Sequence, residues 1–399
     1  MLKFKQLTQE SAHPYPLNGE FVENFSLLRL YRSLTSPMHR LLLPLLIATQ
    51  NTLAQPLNVS LDSFFHTLPP NQPGIALAIR KNGDLIYYNA AGIADLRTTT
   101  PLDSNSNFRM ASVTKQFTAM GILLLARDSI LHLDDPIGRW LPELSRHIGT
   151  TVLIRHLLTH SSGLLDYESL IPAGQKTQVL DEDVLKLLST NDSTYFAPGS
   201  KFQYSNSGFC LLALIIERAS HQSYAQFIKQ RIFTPLHMDS STVYAAGQYI
   251  PHRAMGYAKD STGAIIPSDQ SVTSATKGDG GVYTSLTDYS KWIRALQQNR
   301  LINLPATLRR LRFPIANIPG RYYAAGWFIT GNSPTILFHS GSTCGFTNFV
   351  IQIPGDEWSI VCFSNLADNN TPFREIVKLL KASGMEDLSP ALALKDLTN

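Results

Sequence analysis

Cysteine is scarce in this sequence, which contains three in 399 residues. None belongs to a Cys-x-x-Cys pair, so the sequence has neither a thiolate zinc motif nor a dithiol redox pair. Cys210 and Cys362 lie in apolar runs, and we interpret the cysteines, Cys344 included, mostly as buried thiols. Export would nevertheless permit one disulfide.

Long runs of one charge sign are also missing. The 34 basic and 30 acidic residues give a formal net charge of +4, and no lysine and arginine cluster stands out. We therefore expect no nucleic-acid partner. His156 and His160 are four residues apart, but the residues between them lack the glutamate of a zinc-protease motif. We therefore expect no metal site there.

No apolar run reaches the length of a transmembrane helix. The short apolar run 41–48 follows a basic start at residues 38–40 and precedes small residues up to Ala54. This order is typical of a secretory signal peptide. We therefore expect translation to start at Met38 and cleavage to follow Ala54. Residues 1–54 would be absent from the mature protein, which would be periplasmic or secreted without stable membrane insertion. An uncleaved anchor or a buried N-terminal helix is the alternative.

Strand-like segments occur at both ends of residues 55–399, which we expect to form a single catalytic domain. Two runs flanking Asn82-Gly83 predict a hairpin. The middle of the chain is mainly helical, with a helical subdomain expected at about 130–260. The distant ends must then pair into one sheet, which indicates an α+β fold. Strands are predicted over 75–80, 84–89, 335–339, 346–353 and 359–363, and helices over 181–188 (capped by Asp181), 205–219, 224–233, 287–297 and 372–381.

Ser112 and Lys115 stand three residues apart at the start of an apolar helix. Residues at this spacing share a helix face, so the hydroxyl and the amine can meet. A serine becomes a nucleophile when a base removes its proton, and burial can lower the pKa of a lysine enough to help. The alternative is a helix cap followed by a solvated lysine. Ser274 and Lys277 repeat the spacing, but the glycines that follow them break any helix.

Tyr204 and Asn206 lie where a polar loop enters another apolar helix. A tyrosine at such a position can act as a general base if cations lower its pKa. Asn206 offers both a donor and an acceptor to a substrate amide. The alternative is a core tyrosine with a helix-capping asparagine. Tyr87 and Asn89 have the same spacing on a strand, where no chemical role is needed.

His339, Gly341 and Ser342 follow the strand-like residues 336–338, so we place them at a strand end. A glycine there lets backbone approach a ligand closely. An adjacent N–H could form half of an oxyanion hole, with the N–H of Ser112 as the other half. His339 would supply a proton donor whose charge can change near neutral pH.

These three motifs, in this order, resemble those of serine hydrolases related to class C β-lactamases and D,D-peptidases. Residues 157–164 and 280–285 resemble accompanying segments of that family, and the resemblance spans about 60–385. It implies an antiparallel sheet flanked by helices on both faces, with an inserted helical subdomain and the active site between the two regions. It also implies that no metal or organic cofactor is required.

The resemblance further implies an acyl-enzyme on Ser112, with Lys115 and Tyr204 relaying the proton of its hydroxyl. Asn206 would orient the substrate, and the N–H groups of Ser112 and Ser342 would hold the oxyanion. Which of Lys115 and Tyr204 accepts the first proton stays open at this point.

His339 departs from the penicillin-recognising members, which carry lysine in the third motif. Histidine is mostly neutral at pH 7, so a fixed charge that helps to bind a β-lactam or peptide carboxylate is missing. In this respect the chain resembles the esterase and D-amino-acid peptidase branches. We expect an exported serine hydrolase that acts on an ester or amide of a small molecule or peptide. The alternatives are a β-lactamase or D,D-carboxypeptidase and, in another class, a non-catalytic penicillin-binding-like module.

Overall fold

The computed structural model describes residues 56–316, 318–331, 335–355, 357–385 and 388. The signal peptide predicted from Met38 to Ala54 lies outside these residues and stays a prediction. Within the described ranges, no helix is both long and apolar enough to cross a bilayer.

Strands from both ends of the chain form the main sheet. The strands are β1 (Ile75–Lys81), β2 (Asp84–Ala91), β3 (Ile93–Asp95), β4 (Thr100–Pro101), β5 (Phe108–Arg109), β6 (Thr242–Val243), β7 (Tyr257–Lys259), β8 (Ile265–Pro267), β9 (Val282–Thr284), β10 (Phe313–Pro314), β11 (Arg321–Ala324), β12 (Trp327–Thr330), β13 (Leu337–Thr343), β14 (Phe346–Ile353) and β15 (Trp358–Ser364). The main sheet is antiparallel, in the order β10-β11-β12-β13-β14-β15-β1-β2. The predicted hairpin is confirmed as β1–β2, and the predicted pairing of the chain ends is confirmed as β1–β15.

Helices lie before, between and after these strands. They are α1 (Leu57–His66), α2 (Lys115–Arg127), α3 (Arg146–Thr151), α4 (Ile154–Leu158), α5 (Asp181–Ser189), α6 (Asn206–Ser220), α7 (Tyr224–Ile228), α8 (Leu286–Gln297), α9 (Leu304–Leu311) and α10 (Asn370–Ala382). Helices α3 to α7 form the helical region inserted between strands of the sheet. Its predicted limits at 130 and 260 stay a prediction.

Both faces of the sheet carry helices because successive side chains of a strand point to opposite faces. Phe349 on β14 stacks on Phe373 of α10, with ring centroids 4.0 Å apart. Cys362 lies opposite Phe349 in the ladder, so the next residue, Phe363, faces the other way. Its ring lies 5.5 Å from that of Tyr289 on α8. The predicted α+β class, with an antiparallel sheet flanked by helices, is confirmed.

Two helix predictions were wrong in detail. The helix predicted over 224–233 ends at Ile228 and continues as a single π-helical segment, Lys229–Phe233. Asp181 does not cap α5, because Leu180 holds the N-cap position and Asp183 accepts a hydrogen bond from the Leu180 N–H. The side chain of Asp181 is instead turned into the interior.

The strand that carries the third motif is longer than predicted. It was expected to end at His339, but β13 continues to Thr343, with Gly341 opposite Asn348 and Ser342 opposite Thr347. A Cβ atom on Gly341 would lie 2.3 Å from the Met110 carbonyl oxygen. The glycine therefore admits the neighbouring protein backbone rather than ending the strand.

Candidate active site

Ser112 lies in a 3-10 turn, Ala111–Thr114, between β5 and α2. Strand β5 holds the entrance to this turn because Phe108 pairs with Thr284 of β9. Ala111, directly before Ser112, has a φ of +48°, in the left-handed region. An alanine in that region costs about 1–2 kcal/mol, so the surrounding structure holds the turn in a strained conformation.

Lys115 is fully buried and contacts Ser112, as the spacing predicts. Its Nζ lies 3.0 Å from Ser112 Oγ. It also lies 2.8 Å from Asn206 Oδ1 and 3.1 Å from the carbonyl oxygen of Asp279. Two of its three hydrogen-bonding directions are therefore taken by carbonyl oxygens, and the third meets the serine hydroxyl.

The second Ser-x-x-Lys spacing forms no such pair. Ser274 Oγ accepts a hydrogen bond from the Ser271 N–H at 2.7 Å. The Lys277 amine lies 4.0 Å from a carboxylate oxygen of Glu217. The carbonyl of Ser274 accepts a hydrogen bond from Arg109, so this segment forms part of the wall of the site.

Asn206 begins α6 and connects two side chains of the site. Its Oδ1 accepts from Lys115, and its Nδ2 donates to Glu168 Oε1 at 3.0 Å. It does not cap the helix, because Ser205 does so by accepting from the Gly208 N–H. Its amide therefore serves the site rather than the helix end.

Tyr204 lies beside Lys115, with its ring centroid 4.9 Å from the lysine Nζ. Its hydroxyl is buried and has no hydrogen-bond partner among the described residues. The structure therefore brings Tyr204 to the lysine, but it forms no hydrogen bond between Tyr204 and Ser112.

His160, which the sequence offered only as part of a flanking segment, packs behind Tyr204. The two ring centroids are 4.2 Å apart, and His160 Nδ1 accepts a hydrogen bond from the Ser205 N–H. Burial, with the charge of Lys115, lowers its pKa well below the usual value. A neutral His160 thus fixes the position of Tyr204.

His339 lies inside the protein and does not line the cleft. Its Nδ1 is 2.6 Å from the Ser340 carbonyl oxygen, and its Nε2 is 3.1 Å from the Tyr323 hydroxyl. Burial, with the charge of Lys115, lowers the pKa of His339 to about 3. A neutral ring with both nitrogens occupied cannot be the proton donor that the sequence suggested.

The cleft at Ser112 is small and mostly polar, with a volume of about 70 Å³. It is lined by Arg109, Ala111, Ser112, Tyr167, Glu168, Asn206, Thr273, Thr276, Asp279, Gly280, Ser342 and Thr343. Sequence reasoning missed Glu168 and Asp279, although Asp279 directly precedes the flanking segment 280–285. A larger groove of about 630 Å³, between α8, α9 and outer strands, contains none of the predicted site residues.

Asp181 is a buried carboxylate that holds the loop at residues 277–281. It accepts hydrogen bonds from the N–H groups of Lys277 at 2.9 Å and Gly278 at 3.2 Å. The next residue of that loop, Asp279, contacts Lys115 through its carbonyl. Burial and the nearby Asp279 raise the pKa of Asp181 to about 7, although the two backbone hydrogen bonds lower it.

This raised pKa predicts that stability decreases as pH rises. Between the unfolded pKa near 4 and the folded value of about 7, the native state holds a proton that the unfolded state has lost. The free energy of unfolding should therefore fall with pH by up to about 1.4 kcal/mol per pH unit from this group. Asp181→Asn should remove that part of the slope in melting temperatures measured across this range.

The matched control is Asp183→Asn, an exposed carboxylate on the same helix. It should leave the pH slope unchanged. Equal slopes in the wild type and Asp181→Asn would show that Asp181 does not titrate in this range.

Comparisons with known proteins agree with this geometry. The Beta-lactamase family matches residues 61–382. Penicillin-binding protein 4* of Bacillus subtilis is 34% identical over 339 residues, which are 80% of this chain and 74% of that protein. Protein flp of Staphylococcus aureus is 28% identical over 314 residues, and the match spans 75% of this chain and 61% of that protein.

A solved structure is also similar to the whole fold. It is a D-amino acid amidase from Ochrobactrum anthropi SV3 complexed with L-phenylalanine amide. The two chains are 25% identical with a TM-score of 0.67, and the match covers 82% of this chain and 98% of the amidase. The sequence-based resemblance is thereby confirmed, and the chain belongs to the Beta-lactamase family as a serine hydrolase.

Proposed function

We propose that this protein is an amidase or esterase of the D-amino-acid peptidase type, with Ser112 as its nucleophile. The observation that carries the proposal is the contact between Lys115 Nζ and Ser112 Oγ at 3.0 Å. Two carbonyl oxygens hold the lysine amine, so its free direction faces the serine. Its substrate would be a small molecule or a peptide.

The reaction would proceed in two steps. Ser112 Oγ attacks the substrate carbonyl carbon while its proton passes to the Lys115 amine, which answers for this structure the question of the first acceptor. The N–H groups of Ser112 and Ser342 would stabilise the oxyanion. The leaving amine or alcohol takes a proton as its bond to carbon breaks, and an ester on Ser112 remains. Water then attacks that ester and releases the acid.

Two observations favour an amide of a D-amino acid over a β-lactam. The similar solved structure is a D-amino acid amidase. In addition, the third motif supplies no cation, because His339 is buried and its pKa is lowered to about 3. The second candidate, a β-lactamase or D,D-carboxypeptidase, is supported by the similarity to Penicillin-binding protein 4*.

A substrate panel separates these candidates. We expect the purified protein to hydrolyse D-phenylalanine amide or p-nitrophenyl esters faster, in kcat/KM, than the β-lactam nitrocefin. Ser112→Ala supplies the background rate for each compound. Nitrocefin turnover that exceeds both other activities would favour the second candidate instead.

We further propose export, with translation from Met38 and cleavage after Ala54. The support is the order of basic, apolar and small residues in that segment. Mass spectrometry of the exported protein should find a mature N-terminus at Gln55. A mature N-terminus upstream of Met38 would contradict the proposed start.

A further inference from the structure

We propose that Glu168 and Asp279 form an anionic subsite that binds the free α-ammonium group of the substrate. This inference rests on the proposed function, because it names the class of acyl group that Ser112 receives. The substrates would be amides or esters of amino acids, or peptides, with an unblocked amino terminus.

Glu168 faces the cleft from a short 3-10 segment, Tyr167–Leu170. Its Oε1 accepts from Asn206 Nδ2 at 3.0 Å, and Asn206 also holds Lys115. Within the described part of the chain, Oε2 has no hydrogen bond and no lysine or arginine pairs with the carboxylate. One oxygen is therefore available close to the reacting serine.

Asp279 faces the same cleft from the loop before β9. Its side chain is only 7% exposed, yet its Oδ1 has no hydrogen-bond partner among the residues described. Lys115 contacts its backbone carbonyl rather than its carboxylate. An unpaired buried carboxylate is energetically costly, so the site calls for a donor that arrives with the substrate.

The charges around the cleft suit a cation. Lys115 Nζ already has three oxygen partners. Arg109 also lines the cleft, but it is 1% exposed and donates to the Ser274 carbonyl at 2.6 Å. Its guanidinium lies 5.5 Å from the ring centroid of Tyr244. Arg109 is thus built into the wall, and the carboxylates of Glu168 and Asp279 supply the charge that a substrate meets.

An α-ammonium group has the chemistry that this subsite requires. It brings a positive charge and three N–H donors, and hydrogen bonds from a cation to a carboxylate are among the stronger ones in proteins. It lies one carbon from the scissile carbonyl, which matches a subsite beside Ser112. A carboxylate at that place would be repelled by Glu168 and Asp279.

The test compares D-phenylalanine methyl ester with its N-acetyl derivative, at about pH 6.5, below the usual pKa of an α-amino group. We expect the wild type to prefer the free amine by roughly 10- to 100-fold in kcat/KM, the effect of a lost charge-assisted hydrogen bond. Glu168→Gln, which keeps the acceptor for Asn206, and Asp279→Asn should each reduce this ratio, mainly through KM for the free amine.

Glu182→Gln is the matched control, since Glu182 is exposed and its nearest cation, Arg218, is 3.8 Å away. It should leave the ratio unchanged. An equal or reversed preference in the wild type, or a preference that both site variants retain, would overturn the subsite.

Labelling of Ser112 by a fluorophosphonate separates the two levels of failure. If the wild type is labelled but hydrolyses neither ester, the ammonium subsite is overturned. If the wild type is neither labelled nor active on either ester, the proposed function itself fails.

Discussion

Ser112→Ala abolishes covalent labelling by a fluorophosphonate and all enzymatic turnover, in our expectation. The reason is that the attacking oxygen is removed, whereas the fold loses little. Within the described residues, the Ser112 hydroxyl hydrogen-bonds only to Lys115. Labelling followed by mass spectrometry of the intact protein measures the first effect, and circular dichroism checks the fold.

Ser274→Ala is the matched control for this prediction. Ser274 also precedes a lysine by three residues, but its hydroxyl accepts from the Ser271 N–H at 2.7 Å and does not contact Lys277. This variant should lose some stability and still be labelled. Labelling of Ser112→Ala would point to another nucleophile, and a wild type that resists the reagent would favour a non-catalytic binding module.

Tyr204→Phe should lower kcat by roughly 10²–10⁴-fold, the usual effect of losing a general acid or base. The structure adds a second expectation, because the Tyr204 hydroxyl is buried without a partner in the described chain. Removing an unpaired buried hydroxyl relieves its desolvation cost, so the melting temperature should stay equal or rise. Steady-state kinetics and thermal unfolding of the same sample measure both effects.

Tyr87→Phe provides the opposite pattern. Tyr87 shares the Tyr-x-Asn spacing, but its hydroxyl donates to Asp62 Oδ1 at 2.9 Å on the far end of the chain from the motifs. Its loss should cost about 0.5–1.5 kcal/mol of stability and leave kcat unchanged. A kcat loss below tenfold in Tyr204→Phe would remove Tyr204 from proton transfer and leave it as a packing partner of Lys115.

Both variants test a division of labour that the motifs alone left open. The contact at 3.0 Å joins Ser112 to Lys115 and not to Tyr204. Tyr204 packs its ring near the amine, where a nearby cation is stabilised by the aromatic face. The lysine is therefore placed for the first proton, and the tyrosine for a later one.

Local patterns were enough to predict much of this protein. The Asn82-Gly83 turn, the strand Phe346–Ile353 and the helix behind Ser112 depend on neighbours a few residues away. The same holds for the meeting of Ser112 and Lys115, which one helical turn brings about. The order of the three motifs then indicated the family, and with it a sheet that joins both ends of the chain.

The limits of local patterns show where a partner comes from elsewhere. Gly341 looked like a strand end, but β14 supplies ladder partners for it, and the missing Cβ admits the turn that carries Ser112. His339 looked like a titrating group at the site. Its burial and its contacts with Tyr323 and Ser340 depend on β11 and on the path of β13.

The chemistry of the nucleophile was thus readable along the chain, because Ser112 and Lys115 are neighbours on one turn. The surroundings of that pair were not. Glu168, Asp279 and Asp181 belong to segments with no recognisable motif, and they reach the site only when α5, α6 and the loop before β9 pack together. Burial and loss of partners change the charge and hydrogen bonding of a carboxylate, and both arise from tertiary packing.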